Sequence, residues 1–194
     1  FIGPCSRTVR QAGLKDEAKC TALAADVSVV PGVNDLTVRT LLAKAERDGG
    51  LEAIAKAHKL ATPQGSTEVE KAEALLVASY DALVDVITID EIALQAEIEV
   101  AKLFDQQPNN RIRLKAIGGA GGKGQRILVA PKDYAGDHKT QVKEASSKVP
   151  ELLREVLNEV KATGRGDNKN VLIELNIETT RHQEIQVIGN GDWC

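Results

Sequence analysis

Apolar residues recur at helical spacing through the first half of the chain and alternate with polar ones in short runs through the second. Ser6 to Asp26 reads as a helix interrupted near Gly13, and the stretch from Asp16 to Ala25 is rich in good helix formers. Val27 to Val30 alternates as a short strand, which Pro31-Gly32 ends. From Asp35 to Phe104 the pattern is almost wholly helical. Val38, Leu41, Leu42 and Ala45 share one face of a helix over Thr37–Arg47, and Gly49-Gly50 stop it. Helices over Leu51–Leu60 and Glu68–Val84 follow, separated by the loop Thr62–Thr67. Thr88 and Glu91 form a capping box ahead of a stripe at Ile89, Ile92, Ala96, Val100, Leu103 and Phe104, the pattern of a helix packed on a core.

Beyond the turn Gln106–Asn110 the period changes. Arg111 to Lys115 alternates as a strand, and Ile127-Leu128-Val129 forms a second. Tyr134–Ser147 and Val149–Ala162 are expected helices, the latter with Leu152, Leu153, Val156, Leu157 and Val160 on one face. Val171–Leu175 and Glu184–Ile188 are expected strands. The order β–β–α–α–β–β predicts an α+β fold with helices on one face of an antiparallel sheet.

Between the first two strands, five glycines fall within Gly118 to Gly124, flanked by Lys115 and Lys123. Backbone this rich in glycine brings several N–H donors onto one anion at little steric cost. Gly119, Gly121 and Gly124 satisfy a dinucleotide fingerprint, but that motif needs a helix directly downstream. Gln125 to Ala130 is short and β-branched and stops at Pro131, so a strand is expected instead. A Walker A loop requires Ser or Thr after Gly-Lys, and Gly124 follows Lys123. What remains is a glycine flap hinged between two strands and closing over phosphates.

Composition narrows the setting. The 194 residues are 42% hydrophobic and 27% charged, with a formal net charge of −3. That balance fits a globular protein and argues against nucleic acid or an acidic membrane as partner. The three cysteines (Cys5, Cys20 and Cys194) lack the spacing of a metal site or disulfide framework, which points to a reducing compartment, the cytoplasm or an organelle matrix. The chain starts at Phe1, contains no methionine, and ends in a hairpin signal at Asn190-Gly191, so a piece of a longer protein is expected.

Lys15 in Gly-Leu-Lys-Asp, Lys115 with its glycine loop, Glu174 in Val-Leu-Ile-Glu, and Arg181-His-Gln-Glu-Ile-Gln-Val187 stand in that order. Together with Phe1-Ile-Gly-Pro4 and Val29-Val-Pro-Gly32, they resemble the biotin carboxylase family of ATP-grasp enzymes. The resemblance covers Phe1 to about Gly32 and Arg111 to the end. It implies three parts: residues 1–34 as the end of an α/β N-terminal domain with its linker, 35–106 as a helical insertion, and 107–194 as an ATP-grasp lid subdomain. It also implies roles. Lys115 contacts the α and β phosphates of ATP, and Gly118, Gly119, Gly121, Gly122, Lys123 and Gly124 fold over the β and γ phosphates. Glu174 accepts from the adenine amino group, and backbone near Leu175 and Ile177 reads the ring edge. His182 approaches the phosphates, Glu184 lies near the ribose or phosphate, and Lys15 is a further nucleotide-contacting lysine. Two departures stand out. The interval before Lys115 is longer than the family pattern, and Leu175-Asn176 replaces a basic–aromatic pair.

A parent of this family couples ATP cleavage to carboxylation of biotin by bicarbonate, with Mg2+, and passes the product on a biotin carrier domain. The metal ligands and catalytic groups are expected outside this chain, which by itself is expected to bind ATP weakly and turn nothing over. Homo-oligomerisation is compatible with the sequence. A carboxylate–amine ligase or a carbamoyl-phosphate synthetase-like enzyme would use the same lid. A non-catalytic interaction module would keep the fold without the chemistry.

Overall fold

The computed structural model describes residues 3–13, 15–118, 122–181, 183, 185 and 188–189. Two short helices open the chain, α1 (Ser6–Gly13) and α2 (Lys15–Ala24). The interruption expected near Gly13 falls at Leu14, which lies outside the described residues. The strand expected at Val27–Val30 does not form, and Val27 is exposed. Strand β1 is instead Gly32–Val33, which pairs antiparallel with β4 (Val171–Leu175) in the register Gly32 to Glu174 and Val33 to Ile173. Two residues carry no readable alternation, so a distant partner decides the strand here, not local preference.

Four helices follow: α3 (Leu36–Asp48), α4 (Leu51–Ala57), α5 (Glu68–Asp81) and α6 (Ile89–Gln106). Gly49 ends α3 in the left-handed region at φ 86°, where a residue with a Cβ is disfavoured. The Thr88–Glu91 capping box forms as expected, and a second starts α5 at Thr67 and Glu70. Glu91 also accepts from Lys44 at 2.6 Å, which ties the start of α6 to α3.

The glycine segment joins β2 (Ile112–Ala116) to β3 (Gln125–Leu128), an antiparallel hairpin. A 3-10 turn at Pro131–Asp133 leads to α7 (His138–Ser146) and α8 (Val149–Glu159), and then to β4. Asp137 caps α7 by accepting from the Thr140 N–H, so the helix starts four residues later than Tyr134. The sheet order is β1-β4-β2-β3, all antiparallel. This is the α+β class that the element order predicts. The strand expected at 184–188 falls on residues most of which lie outside those described.

One core joins these parts. Leu36, Leu41, Leu75, Ile92, Val100 and Phe104 from the helices at 35–106 pack in one cluster with Ile112, Leu114, Leu153, Leu157 and Ile173. Helix α6 lies against both α7 and α8, and α8 lies against β2 and β3. The apolar stripe of α6 therefore buries itself on the elements that carry the glycine hairpin.

Candidate functional site at the glycine hairpin

Strand alternation divides the sheet into two faces. Ile112, Leu114, Ala116, Val171 and Ile173 face the helices and are buried. Arg113, Lys115, Gln125 and Glu174 stand on the opposite face. Helix α2 reaches that second face with two lysines one turn apart, Lys15 and Lys19.

Lys19 Nζ donates to the Val30 carbonyl at 3.2 Å and to Asn34 Oδ1 at 3.0 Å, and pairs with Glu174 Oε1 at 2.5 Å. All three of its N–H donors are thereby used. Lys115 Nζ pairs with the other oxygen, Glu174 Oε2, at 2.5 Å. Lys15 Nζ donates at 3.1 Å to the carbonyl of Ile117, a residue 102 positions away and next to Gly118. Lys15 and Lys115 thus both make contacts at the start of the glycine hairpin, Lys15 to the Ile117 carbonyl and Lys115 to Glu174.

Glu174 is 5% exposed. Burial alone would raise its pKa, but the hydrogen bonds from Lys115 and then Lys19 outweigh it and hold the carboxyl below the usual glutamate range. A depressed folded-state pKa stabilises the fold above the unfolded-state value near 4.5, and that contribution is lost as pH falls through the folded value. Urea denaturation of the native chain and of Glu174→Gln is therefore expected to show a stability gap near pH 7 that closes on acidification below 4.5. A gap constant from pH 7 to pH 3 would contradict the assignment.

Asn170 holds α2 over the sheet. Its Nδ2 donates to the Asn34 carbonyl at 2.8 Å and to Asp16 Oδ2 at 3.2 Å. Its Oδ1 accepts from the Thr37 N–H at the start of α3, at 3.3 Å, where Asp35 makes no side-chain cap. One buried amide thus joins α2, α3 and the entry to β4.

A second polar group lies further along the same face. Arg113 Nε and Nη2 donate to Asn176 Oδ1 at 3.0 and 2.7 Å, and Nη1 donates to Gln125 Oε1 at 2.8 Å. Asn176 Nδ2 donates to Glu178 Oε1 at 2.6 Å, and Arg111 grips Glu178 with two bonds of 2.7 Å. Those bonds, Arg111's first, bring the Glu178 carboxyl down to about 2.

A strand follows Gly124, as the sequence predicts. Gly118, Gly122 and Lys123 are exposed, while Gly119 and Gly121 lie outside the described residues. Gly124 is buried at φ 68°, its carbonyl accepts from the Ala116 N–H, and its own N–H donates to Glu159 Oε2 at 2.9 Å. Glu159 also accepts from Arg126, and the two contacts lower its pKa, Arg126's more. The hairpin is thus fastened to α8 at one root and touched by Lys15 at the other. Leu175 donates its N–H to the Pro31 carbonyl at 3.0 Å, and Ile177 is exposed. His182 and Glu184 lie outside the described residues.

A separate concavity of about 500 Å³ is lined by residues of α2, α3 and α5, among them Asp16, Glu17, Asp35, Glu73 and Tyr80, and by Asn168. Its carboxylates give it the wrong sign for a phosphate. Burial and then Asp16 push the Cys20 thiol up at its rim, away from nucleophilic duty.

Lys15, Lys115 and Glu174, singled out from sequence, do come together. Lys19, Arg113 and Asn170 belong with them and were missed. Lys19 could have been found as the i+4 partner of Lys15; the other two act through long-range contacts that no local pattern announces. Comparison with protein-family models, curated proteins and solved structures finds no match. Among the described residues no helix is long and apolar enough to cross a membrane.

Proposed function

We propose that the sheet face bearing Lys115, beside α2, binds the phosphates of a nucleotide, and that the chain is the ATP-binding part of a biotin carboxylase-like, ATP-grasp enzyme. The observation that carries this reading is the convergence of Lys15 and Lys115 on the root of the glycine hairpin. Two ammonium groups and a glycine-rich backbone supply charge and N–H donors at one place, which is the chemistry a triphosphate requires. Lys115 commits one donor to Glu174 and has two more to offer. Glu174 then holds the ammonium in place until an anion arrives.

In this reading the chain binds and orients ATP, and the cleavage that drives biotin carboxylation by bicarbonate uses groups beyond those described. The described residues hold no group of three or more histidine, cysteine or acidic side chains fit to hold a metal ion, so no Mg2+ step is assigned to them. Biotin and its carrier domain are likewise assigned no contact.

Calorimetric titration of ATP and of tripolyphosphate into the 194-residue chain is the direct test. Saturable binding that weakens with added salt is expected. Heats no larger than dilution for both ligands would end the phosphate reading.

A further inference from the structure

The phosphate reading leaves Arg113 unused, although it stands directly across from Glu174 in the β2–β4 register and on the same face as Lys115. We propose that the guanidinium of Arg113 is the stacking platform for the base of the nucleotide, and so the group that favours a nucleotide over bare triphosphate. This rests on the phosphate site at Lys15 and Lys115.

Arg113 is held by its edges: three of its N–H bonds end on the amide oxygens of Asn176 and Gln125. Those acceptors lie to either side of β2, on β3 and just past β4, so the guanidinium spans across the sheet instead of standing away from it. A planar group fixed at its rim presents a flat face, and a guanidinium face is a good surface for an aromatic ring. The side chain is only half-buried.

The pinning extends beyond the first acceptors. Asn176 is itself held by Glu178, and Glu178 by both nitrogens of the Arg111 fork. The chain Gln125–Arg113–Asn176–Glu178–Arg111 fixes the plane before any ligand arrives, which lowers the entropy lost on stacking. Among the described residues Arg113's direct hydrogen-bond acceptors are neutral amides, and Glu178 acts on its charge only through space. Its Cα stands about 7 Å along the strand from that of Lys115, two residues at about 3.4 Å each. A base and the phosphates joined to it through one ribose span a comparable length. Phosphate at Lys115 therefore brings the base over Arg113.

The same chain tests this by calorimetry with two ligands, ATP and tripolyphosphate. Arg113→Lys keeps the charge and removes the plane. Stacking on one side chain accounts for about tenfold in affinity, so the variant is expected to bind ATP about tenfold more weakly and tripolyphosphate within about twofold of the native chain. Should Arg113→Lys fail to fold, judged by circular dichroism, Asn176→Ala carries the test, because it frees the plane while keeping the arginine; ATP alone is again expected to weaken. An unchanged ATP-to-tripolyphosphate ratio, or equal weakening of both ligands, overturns the platform. If the native chain binds tripolyphosphate as tightly as ATP, the platform falls and the phosphate site stands. If it binds neither, both fall.

Discussion

Replacing Lys115 with alanine is expected to weaken ATP binding by about 10–100-fold, read by calorimetry, and to leave the fold intact. The magnitude follows from one charge-assisted contact, roughly 1.5–3 kcal/mol. The fold should survive because Glu174 keeps Lys19 as its partner at 2.5 Å, so no bare buried charge remains. The variant therefore separates two functions of one side chain. Tripolyphosphate should weaken alongside ATP, since the lost contact is with phosphate and not with the base. Equal affinity of native and variant chains for ATP would remove Lys115 from the site. A collapse of the circular dichroism spectrum would instead make the lysine a structural counter-ion to Glu174.

Gly32→Ala should have the largest effect on stability. A Cβ at Gly32 would sit 1.9 Å from the Ile173 carbonyl oxygen and 2.9 Å from the Glu174 Cα. Both are backbone atoms of β4, so no side-chain rotation relieves the clash. Either β1 leaves the sheet or β4 shifts, and with it the Pro31 carbonyl loses the Leu175 N–H it accepts at 3.0 Å. A cost of roughly 2–4 kcal/mol is expected for overpacking of this kind. For a chain of this length that lowers the melting temperature by about 5–15 °C. Because Glu174 rides on β4, the displacement should also blunt phosphate binding. A variant melting within a degree of the native chain would show that β1 contributes little.

The legible parts of the fold are the local ones. The Thr88–Glu91 cap, the hydrophobic stripe of α6 and the strand after Gly124 depend on neighbours within a few residues, and the sequence spells each out. The missed strand has a long-range cause. The alternation at Val27–Val30 suggested a strand, but the β4 edge lies against Gly32 and Val33, and no propensity scale records which residues a distant edge will meet. The site divides in the same way. Lys115 is marked by the glycines beside it and Glu174 by its oddity within an apolar run. Arg113 reads only as an ordinary polar position in an alternating strand, because its two amide partners come from β3 and from beyond β4. Asn170 is equally silent, since its partners Asp16, Asn34 and Thr37 lie more than a hundred residues upstream.

The reach of α2 onto the sheet has a kinetic corollary. The Lys15–Ile117 bond closes a loop of 102 residues and the Asn170–Asp16 bond one of 154. Contacts so remote in sequence incur their loop-closure entropy before they return any stabilisation, so they form late and open early. Hydrogen exchange in α2 should accordingly outpace that of the central strands. An anion gripped by Lys15 and Lys115 together would span that last-zipped seam, and its arrival would slow the unzipping.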